Sequence, residues 1–167
     1  LDCGEWDYIN HIRIGRKGDP SATPLNWELA RFITPYGKGW GSGRPNWKHG
    51  WYYELNDFAP LLHDDVEIIY RHTGYEANHD RGWKINLTFF FVEGNPPADI
   101  VSLDTMWNGS FRYGDAAQPI EDKLNTRNVT LKPDTWMANL KIIQTGHGMD
   151  SMENCAEFCP KNRTVKF

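Results

Sequence analysis

Apolar and polar residues alternate along this chain in short runs, and turn residues break the runs apart. Over residues 8–16, Tyr8, Ile12 and Ile14 share one parity, which predicts a strand. Residues 27–34 predict a second, carrying Leu29, Arg31, Phe32 and Ile33. A short strand over 51–55 leads into one helical turn over 56–62, capped by Asn56 or Asp57. Residues 66–72 read as a strand, and 82–92 as a long one rich in β-branched and aromatic residues. Further strands are predicted over 99–107, 127–131, 136–144 and 163–167. No segment of ten or more residues has a helical period. Short strands at this spacing, separated by turn signals, predict an all-β sandwich or jelly roll.

The connections sharpen that picture. Lys17-Gly18-Asp19-Pro20 is turn chemistry, and 73–81 is a polar loop. Residues 35–50 form a long loop with five glycines and two prolines, holding Trp40 and Trp47. Loops of that length are often binding loops. Gly94-Asn95-Pro96-Pro97 is the strongest boundary signal, because neither proline can donate to a ladder. It divides the chain into an N-terminal domain over 1–94 and a second domain over 95–167.

Composition narrows the function classes. The 167 residues are 40% hydrophobic, enough for a packed core. A net charge of -4 and a pI near 5.8 argue against nucleic acid or an anionic membrane as partner. No apolar run is long enough to span a membrane. Eight Trp is a high count, and Trp stacks on sugar rings as well as filling cores. There are three cysteines. Cys155 and Cys159 can pair, which would place the chain in an oxidising compartment, secreted or periplasmic, and leave Cys3 with a partner outside this sequence. The alternative is three reduced thiols. Leu1 opens no signal peptide, so a processed or truncated form is expected.

The segment 145–160 concentrates the candidate chemistry. Gly146 and Gly148 flank His147, and Glu157 lies between Cys155 and Cys159. If the two cysteines pair, they close a short ring that presents Glu157 at a fixed angle. Asp7, beside Trp6 in the loop that holds Cys3, is its counterpart at the other end of the chain. Two carboxylates near aromatic rings can have their pKa values driven apart, so one holds a proton while the other acts as base. The plainer alternative is that each carboxylate satisfies backbone N–H groups of its own loop. The histidines show no HxH or HExxH spacing, so a metal site has little support, and His147 reads as a loop anchor. Arg31 on its strand is either a paired charge or a ligand contact. Asn86, Asn108, Asn128 and Asn162 each open an Asn-x-Ser/Thr pattern, which is common by chance.

Four motifs occur together in order: Cys3-Gly4-Glu5-Trp6-Asp7, Ala30-Arg31-Phe32-Ile33-Thr34-Pro35-Tyr36, Asp57-Phe58 with Leu61-Leu62, and Asn154-Cys155-Ala156-Glu157-Phe158-Cys159. In this the chain resembles the peptide-N-glycosidase F family, secreted bacterial amidases that release N-linked glycans. The resemblance implies two side-by-side jelly-roll domains with the active site in the cleft between them. It implies Asp7 as the main catalytic carboxylate and Glu157 as the assisting one, with Trp6, Arg31, Trp40, Glu76 and His147 as candidate substrate contacts. It implies an N-glycosylated protein or glycopeptide as substrate, and a chemistry that requires no metal or other cofactor. Tyr8 stands where the best-known members carry a basic residue, and Thr145 where members carry a Trp. A third family carboxylate belongs near His72, where this chain has no acid; Glu76, four residues on, is the substitute. Family chains begin before Leu1 and continue past Phe167, so both domains are expected to be incomplete. Two other readings compete. One is a non-catalytic carbohydrate-binding module, favoured by the missing third acid and the Trp-rich loops. The other is a copper monooxygenase of the same paired architecture, for which the histidines show no suitable cluster.

Overall fold

The computed structural model describes residues 7–17, 27–35, 48–72, 83–112, 114–146, 160, 162 and 164–166. The chain divides into two compact units, Leu1–Leu103 and Asp104–Phe167. A three-stranded antiparallel sheet with only short helical turns places the described residues in the all-β class.

The first unit is organised on strands β1 (Ile9–Arg16), β2 (Trp27–Ile33) and β3 (Val66–His72), with β1 in the centre. Each lies within one residue of where alternation predicts it. Asn10, Ile12 and Ile14 of β1 point to a buried face, which Leu29, Ala30 and Phe32 of β2 extend. Trp51 stacks on Phe32 with ring centroids 4.2 Å apart.

One irregularity reorganises β2. Ile12 faces Ala30 but Arg13 faces Glu28, so Leu29 is an extra residue, a β-bulge. In an unbroken ladder Glu28 would face Ile14 and share its buried face. The bulge turns Glu28 to the opposite face instead, level with Arg13 and beside His11 and Arg31. Among the described residues β2 is an edge of the sheet, and the Tyr53 hydroxyl donates to the Arg31 carbonyl at 2.9 Å.

Between β2 and β3 a 3-10 helix, Asn56–Leu61, buries Phe58. The helical turn is where the sequence predicts it, but the cap is not. The N-cap residue is Leu55, with no side-chain cap bond, and the Glu54 carboxylate accepts from the Asn56 N–H at 3.0 Å. The C-terminal end is held from β1, where the Arg16 guanidinium donates to the carbonyls of Pro60 (3.3 Å) and His63. Asp64 follows with φ of 56°, a left-handed residue that turns the chain into β3. Arg16→Ala should therefore cost about 1 kcal/mol, since it leaves two helix-end carbonyls to solvent. Urea unfolding would measure this, and an unchanged midpoint would show that water replaces the guanidinium without loss.

The remaining predicted strands are corrected. Residues 51–55, 82–92, 99–107, 127–131, 136–144 and 163–167 carry no ladder where they are described, and no strand runs through Pro96 and Pro97. Alternation states which side chains could share a face, but a strand exists only when a neighbour takes up its N–H and C=O groups. Phe90, Phe91 and Val92 are 79%, 75% and 91% exposed, while Trp83, Ile85 and Phe89 earlier in that run are half-buried.

Among the described residues the second unit contains one helical turn, α1 (Ile120–Lys123), opened by Pro119 and with Glu121 and Asp122 in its first turn. The Trp107 indole N–H donates to the Asn125 carbonyl at 2.9 Å and ties the chain before α1 to the chain after it. No helix among the described residues is long and apolar enough to cross a membrane.

Candidate functional site

Two polar clusters flank the central strand, one on each face. The first lies at the end of the sheet where β1 begins and β2 and β3 stop. Tyr8 is clamped there by Thr34. The Tyr8 N–H donates to Thr34 Oγ1 at 2.8 Å, and the Thr34 N–H donates to the Tyr8 carbonyl at 2.9 Å. That clamp fixes the backbone directly after Asp7, which is 1% exposed. Asp7 is thus shielded from bulk water, next to the end of the sheet where β1 begins.

Asn10 is the hub of this cluster. It is 0% exposed, and its amide makes three hydrogen bonds. Nδ2 donates to the Tyr8 carbonyl at 2.7 Å, while Oδ1 accepts from the Tyr70 hydroxyl and from His72 Nδ1, the latter at 3.0 Å. The Tyr8 ring meets His72 edge-on, with centroids 4.9 Å apart. Burial raises the Tyr70 pKa, so its hydroxyl stays neutral and donates at ordinary pH.

The second cluster is the one the bulge creates. Arg31 Nε and Nη2 both donate to the Glu28 carboxylate at 2.7 Å, a bidentate pair. His11 Nδ1 meets the same carboxylate at 2.8 Å, and Arg13 lies 3.7 Å from it. Burial by itself would raise the Glu28 pKa. Hydrogen bonds from Arg31 and His11, with the charges behind them, outweigh it and hold the group below its ordinary value of 4.5.

Of the residues singled out from the sequence, Asp7 and Arg31 are described. Asp7 directly precedes Tyr8 of the first cluster. Arg31 belongs to the second, where two of its nitrogens are engaged by Glu28, as the paired-charge alternative expects. Trp6, Trp40, Glu76, His147 and Glu157 lie outside the described residues, as do Cys3, Cys155 and Cys159. Asn10, Tyr70 and Glu28 were not anticipated. The signal for Asn10 was present: it has the same parity as Tyr8, Ile12 and Ile14, a polar residue in an apolar row. Glu28 carried no such signal, because residues 28 and 31 have opposite parity and only a bulge brings them to one face.

Neither a curated protein nor a solved structure matches the chain. One family model does: residues 113–167, all within the second unit, match the family described as peptide-N-glycosidase F, C terminal, and over that span the chain is similar to it.

Proposed function

We propose that this protein is an amidase that hydrolyses the bond between an asparagine side chain and the first N-acetylglucosamine of an N-linked glycan. The observation that carries this reading is the match of residues 113–167 to the peptide-N-glycosidase F C-terminal family, a span that includes Glu157 between Cys155 and Cys159. The buried Asp7 at the mouth of the first unit's sheet supports it, since the motif around it belongs to the same family resemblance. The architecture we propose is a pair of jelly rolls, and the setting secreted or periplasmic, with Cys155 bonded to Cys159.

In this reading water attacks the side-chain amide carbon. The C–N bond breaks, the nitrogen leaves as the glycosylamine carrying the transferred proton, and asparagine becomes aspartate. Asp7 is the main catalytic carboxylate, and Glu157 positions or activates the water. Trp6 walls the sugar and excludes water on one side. Trp40, Glu76 and His147 make further substrate contacts, and Arg31 is a further candidate contact. General acid–base help of this kind is worth about 10²–10⁴-fold.

The test is release of glycan from a denatured glycoprotein, followed by the mobility shift of the product. Mass spectrometry checks that asparagine has become aspartate at the acceptor site. Glu157→Gln should lose about 10²-fold, at the lower end of that range, because water still reaches the bond. A wild-type protein that binds glycopeptide and releases nothing would establish the carbohydrate-binding module instead.

A further inference from the structure

We propose that the face of the sheet opposite Ile12 and Ile14 carries an oxyanion site, formed by Arg71 of β3 and His11 of β1, which takes the carboxylate of an acidic sugar. That the oxyanion is carried on a sugar rests on the amidase reading above; the oxyanion site itself does not.

The ladder sets the arrangement. His11 is paired with Arg31 of β2 on one side and with Arg71 of β3 on the other. Residues directly opposite on antiparallel strands share a face, so Arg31, His11 and Arg71 form one row across the sheet. The next row is Glu28, Arg13 and Ile69. Among the described residues of the sheet, three arginines and a histidine thus share these two rows with one carboxylate, Glu28. The other acid on this face is Glu67, which is paired with Gly15. It lies four positions along β3 from Arg71, about 13 Å away. Cations facing one another on neighbouring strands repel. The row also runs against the charge of the whole chain, which is -4.

Glu28 answers only one end of the row. Its Oε1 accepts from Arg31 Nε and from His11 Nδ1, and its Oε2 accepts from Arg31 Nη2. A carboxylate only accepts, so His11 Nδ1 carries a proton and that edge of the ring is turned to β2. Nε2 is on the far edge of the ring and points away from β2, to the side on which Arg71 stands. Arg71 is exposed and makes no hydrogen bond or ion pair with a described residue. An oxyanion between the two receives the guanidinium fork of Arg71. When the ring is protonated, His11 donates from both nitrogens and bridges Glu28 to the bound group. The ligand then supplies the second anion that the row lacks.

The site can be tested with bare anions before any glycan is used. Sodium sulfate or sodium acetate, at ionic strength held constant with chloride, should move the His11 ring and Arg71 Nε resonances in ¹H–¹⁵N spectra, and saturation with either anion supports the site. Arg71→Ala removes an exposed side chain, so the fold is kept, and it should weaken that binding about tenfold, as for one hydrogen bond to a charged group. Arg127→Ala takes the same charge from the second unit and should leave the binding unchanged. Sulfate should bind more tightly at about pH 6 than at about pH 8, because histidine is the residue type on this face that changes charge between them. Shifts that never saturate, or that Arg71→Ala leaves as they are, overturn the site and make Arg71 a charge that guards the sheet edge. For the sugar, a sialylated glycopeptide should bind about tenfold more tightly than the same glycopeptide stripped of sialic acid, and Arg71→Ala should erase the difference. If the two bind equally while sulfate saturates, the oxyanion site stands and the acidic sugar is wrong. If the wild type neither binds nor cleaves either glycopeptide, the amidase reading fails and the sugar half falls with it, while the sulfate result stands on its own.

Discussion

Asp7→Asn should reduce glycan release by up to about 10⁴-fold, the top of the range for a general acid–base group. Asparagine has nearly the same shape, so a residue that is 1% exposed is replaced without opening a cavity. The Thr34 clamp on Tyr8 is made by backbone atoms and one hydroxyl, none of them belonging to Asp7, and it should survive. What the change removes is the charge and the capacity to take or give a proton. Thermal unfolding and glycopeptide affinity should therefore stay near wild type while turnover collapses. Retained turnover would show that the family motif had been carried to the wrong carboxylate. Collapse of folding together with turnover would show that Asp7 is held for structure.

Glu28→Ala should be the most destabilising single change in the polar clusters, by about 2–4 kcal/mol, a little under the ~3–5 kcal/mol of a fully buried pair that loses one member. The Glu28 side chain is 12% exposed, and His11, Arg13 and Arg31 around it are 13%, 20% and 14% exposed. Removing one carboxylate leaves cations facing one another with little water to separate them. The pH dependence follows with a definite sign. Glu28 titrates below its ordinary value of 4.5 in the folded protein, so between the folded and ordinary values the unfolded chain binds more protons. Its contribution is complete above about pH 4.5 and is lost as the pH falls through the folded value. Glu28→Gln should flatten that part of the stability curve. Denaturant midpoints from neutral pH down to about pH 3 would show it. Parallel curves for Glu28→Gln and wild type would mean the carboxylate is screened by solvent.

The sheet was legible in the sequence because its information is local. Alternation over 8–16, 27–34 and 66–72 named the three strands of the sheet, and Asn56 and Asp57 marked the helical turn although Leu55 is its N-cap. The role proposed for Asp7 rests on a motif alone, since nothing in its immediate pattern separates a catalytic acid from a loop acid. The ion cluster was not legible. Its geometry depends on one extra residue, Leu29, and periodicity has no way to mark which residue of a strand a ladder will skip. Nor could periodicity distinguish 66–72, which finds β1, from 82–92, which has the stronger β composition and no ladder. Pairing is a property of two segments, and a pattern within one of them cannot report it.

The order of strands also sets the order in which the molecule can assemble. β1 meets β2 across a short connection, and the Tyr8–Thr34 bond closes a loop of 26 positions. The Asn10–His72 bond spans 62. Loop closure grows costlier with span and long-range pairings form later, so the β1–β2 hairpin precedes the docking of β3. Asn10 therefore spends the early part of folding as a polar residue in an apolar face with only the Tyr8 carbonyl to satisfy it, and it is completed when β3 arrives with Tyr70 and His72. Amide exchange of the β3 ladder should accordingly be faster than that of β1 with β2, and the imidazole signal of His72 would serve as a clock for the last step of folding.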